Sequence, residues 1–595
     1  MNIQVAGYGI ICAIGNDASA VLESLKAGRT GIGPMHYLQS VHKELPVGEV
    51  KLSNADMLRM LGQDETTIIS RTVLMGAIAI RQALEQAGIA TEGKRVVVIN
   101  GTTVGGMDVT EHFIRQISEE DDLLPLLKKH DCGSSTRQMA DLAGLADAEV
   151  CTVSTACSSA VNAIILGSEM LKAGEADIVI AGGTEALSLF HLNGFNSLMI
   201  LDKEQCRPFD KSRAGLNLGE GAAFVVLTRS LVKSEELSVK AYIRGYGNRC
   251  DAFHQTASSE DGEGAYLAMC DALQMAGLKP EDIHYINAHG TGTPNNDASE
   301  SAAIRRVFGE EIPPVSSTKG FTGHTTSASG AIETVICILA LRHQFLPANL
   351  GWKEQDEACI RPYGNSKLIN SKFKTGICTS VLCNSFGFGG NDSALVISSV
   401  PTGSSPEESS FKSEQLAEAT ILSADGELDG QALRQYISAG EARRMSLLMK
   451  ASTLSSMQAL REAGIECPDA IITATAYGML ETSEKFLNDM LEQGEETLSP
   501  TLFMQSTHNT LSSAIAIRLK CHGYNMTYSQ GSDSLRWALR DAKRLIATGK
   551  ARTVLVGLHD EATPTLQNIF RRMGKPVPPR LYSRSIILGR SPASD

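Results

Sequence analysis

Apolar and polar positions change period at one informative place in this chain. Val150-Cys151-Thr152-Val153-Ser154-Thr155 is dense in β-branched residues and predicts a buried strand. From Cys157 onward, small and apolar residues recur at helical spacing through Val161, Ile164, Ile165 and Leu171, and Gly174 ends them. The pattern predicts a strand-to-helix corner carrying Cys157. A thiol there meets the unpaired N–H groups and partial positive charge of a helix start, which favours the thiolate. The plain alternative is a buried cysteine acting as a small hydrophobe.

Three glycine-flanked loops follow short strand-like stretches. Tyr285–Ala288 leads into His289-Gly290-Thr291-Gly292-Thr293-Pro294, and Ser316–Thr318 leads into Lys319-Gly320-Phe321-Thr322-Gly323-His324. The run Ile377–Leu382 precedes a third loop, Asn384-Ser385-Phe386-Gly387-Phe388-Gly389-Gly390-Asn391. A lone histidine beside glycine is ordinarily packed or solvated. One cysteine, two such histidine loops and a glycine turn in this order form a candidate site. Gly7-Tyr8-Gly9 lacks the third glycine of a dinucleotide fingerprint, and Gly387-Phe388-Gly389-Gly390 precedes a strand, so no nucleotide site is expected.

From residue 1 to about 400 these motifs resemble those of the β-ketoacyl-acyl carrier protein synthases, the condensing enzymes of fatty-acid and polyketide assembly. The resemblance rests on Val5–Gly9, read as a strand and turn, on Thr155-Ala156-Cys157-Ser158-Ser159 and on Ala181-Gly182-Gly183-Thr184-Glu185. It continues through Arg207-Pro208-Phe209-Asp210, Gly219-Glu220-Gly221, both histidine loops and Phe386–Gly390. It implies an α/β protein of the thiolase fold, two similar halves packed as a five-layer α/β/α/β/α sandwich. Cys157, His289 and His324 are similar to the Cys-His-His set of chain-elongating members; initiating relatives carry Cys-His-Asn and thiolases a second catalytic cysteine. The resemblance implies that Cys157 accepts the acyl chain and that the N–H groups of Cys157 and Phe388 form the oxyanion hole. His289 and His324 would donate to the malonyl thioester carbonyl. Lys319 and Glu300 would orient the histidines and the loops, with Asp297 further along the same loop. Thr291 and Thr293 would hold the phosphopantetheine arm, and Phe388 would gate the acyl pocket. No cofactor is implied; the substrates ride on the phosphopantetheine of an acyl carrier protein, the expected partner.

Beyond residue 400 the chain partly repeats itself. A shift of 375 residues pairs Gly174 with Gly549, Thr152 with Thr527, Ser154 with Ser529, Ser159 with Ser534, Ala163 with Ala538 and Gly182 with Gly557. A shift of 376 pairs Gln82-Ala83-Leu84 with Gln458-Ala459-Leu460. Cys157 then falls on Ser532 and Thr155 on Gln530, and no counterpart of the His289, Lys319 or His324 loops follows. Ser532 without a positioned base is a poor nucleophile; His508 and His522 are read as structural or surface residues. The region resembles the N-terminal half of a synthase that has lost catalysis, as in the chain length factors of heterodimeric polyketide synthases, including those of aryl-polyene pigment systems. The expected organisation is a synthase domain at 1–398, a Ser/Pro/Glu-rich linker at 399–414 and a half-thiolase-like α/β module at 415–595. The stretch from Lys575, with Pro576, Pro578 and Pro579, is read as an irregular extended tail. The module is expected to dock across a pseudo-symmetric surface and close the acyl tunnel, either within the chain or alongside self-association. Fatty-acid elongation, a non-catalytic carrier scaffold and acyl-CoA thiolysis are the competing readings.

Bulk properties agree. A length of 595 residues exceeds one ordinary core. The chain is 43% hydrophobic and 20% charged, with no apolar run of about 20 residues and no basic secretion start, so a cytoplasmic protein without a membrane span is expected. Thirteen cysteines without a CxxC pair fit reduced thiols and no zinc site. A net charge of −13 speaks against nucleic acid. Lys203, Arg207, Lys211 and Arg213 are the candidate basic residues for docking an acidic carrier, with a solvated charged loop as the plain reading.

Overall fold

The computed structural model describes residues 2–119, 123–127, 129–229, 239–364, 377–401 and 411–591. The first half of the synthase region supplies strands β1 (Ile3–Cys12), β2 (Val96–Gly101), β3 (Glu149–Val153), β4 (Ile178–Glu185) and β5 (Gly221–Arg229). Its second half supplies β6 (Ala241–Cys250), β7 (Tyr285–Asn287), β8 (Val315–Ser316), β9 (Ser380–Gly387) and β10 (Asn391–Ser398). The C-terminal module supplies β11 (Ser413–Ser423), β12 (Ala470–Ala474), β13 (Tyr524–Tyr528), β14 (Thr553–Glu561) and β15 (Leu581–Arg590).

These strands join in the order β11-β15-β14-β12-β13-β3-β2-β4-β5-β1-β6-β10-β9-β7-β8. Each group of five follows one plan: 3-2-4-5-1, 8-7-9-10-6 and 13-12-14-15-11. In each, the first three strands pair in parallel and the last two are added antiparallel. The partial repeat read in the sequence is therefore a third copy of one half-fold.

Layering follows from the helices. Ser159–Lys172 and Ser329–His343 lie against one another between the two halves of the synthase, and every residue of Ser159–Leu171 and Ser329–Leu341 is buried. Helices hydrophobic on all sides belong in such a central layer. Arg71–Ala87 covers the outer face of the first half and Glu263–Ala276 that of the second. The five layers match the thiolase-fold expectation. Gly7 and Gly9 of β1 serve this packing: a Cβ on either would stand 2.3 Å from Ala83 O or 2.0 Å from Ala79 O. β1 runs through both glycines without the expected turn, with a register shift between Val5 and Gly7.

The C-terminal module has only half of these layers. Its helix Ser534–Ala547 repeats Ser159–Lys172 at the 375 shift but faces no second sheet, so it carries Arg536, Arg540 and Arg544. Those charges pair with Glu149 and Glu175 of the synthase. The modules meet where β13 runs antiparallel to β3. Ser154 N donates to Thr527 O at 2.9 Å and Ser529 N to Thr152 O at 3.0 Å. The two bonds exchange under the 375 shift, which marks a pseudo-two-fold axis.

Residues 402–410 of the expected linker lie outside the described residues, and β11 begins at Ser413, two residues inside its expected end. The expected tail is a correction. Leu581–Arg590 is an internal strand between β11 and β14, with Ile586, Ile587 and Leu588 buried. The prolines before it mark only the turn into that strand. Among the described residues no helix is long and apolar enough to cross a membrane.

Candidate active site

Cys157 sits on a 3-10 turn, Ala156–Ser158, between β3 and the central helix Ser159–Lys172. The corner is sharp: Ala156 has φ 52°, the left-handed region that residues with a Cβ seldom occupy. At the repeated corner Gly531 takes φ 56°, where no such strain arises.

The predicted histidines converge on the sulfur. His324 Nε2 lies 3.1 Å from Cys157 Sγ, and the rings of His289 and His324 stand 5.3 Å apart at 85°. All three side chains are buried. Burial first, and then the Lys319 charge, hold both imidazoles well below the ordinary histidine range, so they are neutral at physiological pH. Lys319 Nζ stands 3.3 Å from His289 Nδ1 and donates to His289 O at 2.6 Å. An ammonium only donates, so Nδ1 accepts and the ring proton falls on Nε2, free to point at a substrate. His324 Nδ1 lies 2.9 Å from Ser329 Oγ, a hydroxyl that can back either tautomer.

The expected thiolate needs correction. Burial pushes the Cys157 thiol up to about 12, and Lys319 and the backbone N–H of Phe388 offset this only in part. The helix start is real, but desolvation outweighs it. The resting nucleophile is a thiol with an imidazole in contact.

Glu300 accepts from the backbone N–H groups of His289 at 2.9 Å and Gly290 at 2.8 Å and from Asn384 Nδ2 at 3.1 Å. It shapes the loop and does not touch the rings' nitrogens. Thr291 and Thr293 hydroxyls are 2.9 Å apart on a cavity of about 340 Å³ that also reaches Cys157, His289, His324 and Phe388. Asp297 accepts from Phe209 N at 2.8 Å and Gly292 N at 3.2 Å. Phe388 stacks on Phe195 at 5.8 Å and borders both this cavity and a pocket of about 20 Å³ behind it. The predicted loop is shorter than expected: β9 extends to Gly387, paired with Asn391, and the turn is Phe388–Gly390.

Sequence reasoning missed several residues. Glu333, on the central helix Ser329–His343, pairs with Lys319 at 2.6 Å with both side chains buried. Burial pushes its carboxyl up to about 7 while Lys319 pulls it down. The small pocket is closed by Phe503, Ser506 and Thr507 of the C-terminal module, together with Phe190, His191 and Phe195. Phe503 lies so close to the backbone that a Cβ on Gly194 would stand 2.1 Å from its ring. Nothing local in the sequence marked Glu333 or Phe503.

Other candidates fall away. Ser532 is exposed. Gln530 accepts from Thr152 Oγ1 at 2.7 Å across the module junction. His508 is half-buried beside Ser154 Oγ at 3.2 Å, and His522 lies 3.0 Å from Cys250 O, so both are structural contacts between modules. Arg207 pairs with Asp202 and Glu204, Lys211 with Glu354, and Arg213 with Asp356, so these three make no free basic face.

Comparison with known proteins follows the same division of the chain. Residues 1–232 match the family model for the β-ketoacyl synthase N-terminal domain and 240–353 that for its C-terminal domain. Residues 423–584 match a second model of the N-terminal domain. A 3-oxoacyl-[acyl-carrier-protein] synthase 2 of Coxiella burnetii is 32% identical over 415 residues, covering 67% of this chain and 98% of its own. The ketosynthase ApeO of Xenorhabdus doucetiae, solved in complex with its chain length factor ApeC, gives a TM-score of 0.57 at 30% identity, over 67% of this chain and 98% of that one. The PfaC keto synthase–chain length factor structure covers 100% of this chain and 79% of its own with a TM-score of 0.79; at 17% identity it bears on the fold alone.

Proposed function

Because this chain belongs to the β-ketoacyl synthase family of condensing enzymes, we propose that it joins a malonyl unit to an acyl chain held on Cys157, both delivered by an acyl carrier protein. The observation that carries this reading is the contact of His324 Nε2 with Cys157 Sγ, with His289 beside it on the same cavity. In the first half-reaction the Cys157 thiol passes its proton to His324 and attacks the incoming thioester. The carrier's phosphopantetheine thiolate leaves and takes that proton back, so His324 ends neutral. In the second, the N–H groups of His289 and His324 hold the malonyl thioester oxygen as the bond to the carboxylate breaks. Carbon dioxide departs and an enolate remains. The enolate carbon attacks the Cys157 thioester, and the N–H groups of Cys157 and Phe388 hold that oxyanion. Cys157 leaves as thiolate and takes up from solvent the one proton the condensation consumes, which restores the resting thiol as a 3-oxoacyl carrier is released.

The C-terminal module supplies the far wall. Phe503, Ser506 and Thr507 close the pocket behind the nucleophile, and close-packed walls do not yield to an added two-carbon unit. Product length is then set by this module, the arrangement suited to polyene or polyketide assembly. Ordinary fatty-acid elongation is the competing reading. Full-length protein incubated with carrier, malonyl units and the companion reductase and dehydratase decides by product mass. Polyketide assembly gives conjugated chains that lengthen in Phe503→Ala. Saturated products indifferent to Phe503 would favour fatty-acid elongation.

A further inference from the structure

The catalytic loop Phe388–Gly390 is held from two sides, and one of them is the C-terminal module. On the synthase side, Gly387 presses on the nucleophile corner: a Cβ there would stand 2.7 Å from Thr155 O and 3.2 Å from Cys157 N. The Phe388 N–H points at the Cys157 sulfur. On the opposite side, Asn509, fully buried and directly preceding helix Thr510–Leu519, donates from Nδ2 to Phe388 O at 2.8 Å and to Asn391 Oδ1 at 2.7 Å. A primary amide has two N–H groups, and both are used here, one on the turn and one on the residue that follows it. Asn391 is in turn tied to the module, donating to Asn525 O at 3.1 Å and Asn525 Oδ1 at 3.0 Å.

We propose that Asn509 is a positioning residue for condensation: by fixing the carbonyl of Phe388 it restrains the backbone of that residue, whose own N–H, in the preceding Gly387–Phe388 peptide, is aimed at the reacting thioester, and it holds the Phe388 ring in its gating position. The C-terminal module is then part of the catalytic apparatus as well as a wall. The proposal rests on the reading of Phe388 as oxyanion donor and gate. The module packs closely on the turn. Asn509 Oδ1 and Ser513 Oγ are buried without hydrogen-bond partners in this arrangement, and Ser513 Oγ lies 2.1 Å from where a Gly389 Cβ would be. Gly389 and Gly390 have φ of 84° and 76°, so the turn is built from residues free to rearrange.

The role differs from that of Phe503 in its consequence. A wall residue changes product length; a tether of the oxyanion donor changes rate at constant length. Full-length Asn509→Leu keeps the side-chain volume and removes both donors, and Asn509→Ser is a milder variant that cannot reach the loop. Ser513→Ala removes a hydroxyl that bonds nothing and serves as the packing control. In each, Cys157 acylation from an acyl carrier, condensation with malonyl carrier, product length and the pH profile of Cys157 alkylation are measured. The expected result is acylation and condensation each slowed tenfold or more in both Asn509 variants, with unchanged product lengths. The alkylation profile moves to higher pH because the sulfur loses the Phe388 N–H, and Ser513→Ala behaves as wild type. Asn509 variants with wild-type rates and alkylation profile, or with altered product length at wild-type rate, would overturn the proposal. A wild type that does not condense at all would instead defeat the proposed function, so the two failures are told apart by the unsubstituted protein.

Discussion

His324 Nε2 and Cys157 Sγ are 3.1 Å apart, both side chains buried, at the wall of the cavity of about 340 Å³. Burial acts on both partners in the same direction, toward the uncharged form, which leaves a neutral thiol against a neutral imidazole. On the proposed function the pair would react by proton transfer when a thioester arrives, and not as a preformed ion pair.

That relationship sets a pH dependence. The raised thiol ionises only toward pH 12, so the rate of Cys157 alkylation by iodoacetamide climbs about tenfold per pH unit from pH 7 to 9 and does not level off there. Peptide mapping of the alkylated cysteine measures it. A plateau near pH 7 would reveal a stable thiolate.

The two histidines separate by half-reaction. His289→Ala leaves Cys157 acylation within a few-fold of wild type and lowers malonyl decarboxylation by about 10²–10³, the scale of one lost oxyanion donor. His324→Ala, which removes the group touching sulfur, slows acylation as well, by about 10²-fold or more. Intact-protein mass measurements of acyl-enzyme, beside carbon dioxide release, resolve the two.

Lys319 and Glu333 form a buried pair, and removing one partner strands the other. Lys319→Met lowers unfolding stability by about 3–5 kcal/mol in denaturant titration, whereas Lys319→Met with Glu333→Leu recovers most of it. Neither protein regains condensation, because His289 has lost the ammonium that fixes its tautomer.

Gly194 and Phe503 meet across the module junction, so Gly194→Ala costs about 1–3 kcal/mol through overpacking. In a Phe503→Ala background, itself lower by about 3–5 kcal/mol, Gly194→Ala lowers the midpoint of unfolding no further. Additive losses in the double variant would show that the two positions do not touch.

Much of this was legible in the chain itself because it is local. A β-branched strand turning into a helix at Cys157, and two histidines in glycine-flanked loops, need only neighbours in sequence to be seen. The third copy of the half-fold was visible in the common 375 register of Gly174 and Gly549, and the strands keep that register from β3 to β13. What escaped is what depends on burial or on distant helix faces. The thiolate expectation weighed the helix start at Cys157 without the desolvation that outweighs it. Glu333 and Phe503 lie on ordinary-looking helical stretches and Asn509 just before one, and only packing of one module on the other brings Asn509 to a loop more than a hundred residues away in sequence. The strand Leu581–Arg590 was hidden behind three prolines that disguise its first turn.

The most direct test asks whether Cys157 carries the chain. Full-length protein is mixed with acyl carrier protein bearing a labelled short acyl group, digested, and the label located; unlabelled malonyl carrier is then added. The account predicts label on the Cys157 peptide alone, discharged as labelled 3-oxoacyl carrier when malonyl carrier arrives. Condensation proceeding while that peptide stays unlabelled would contradict it.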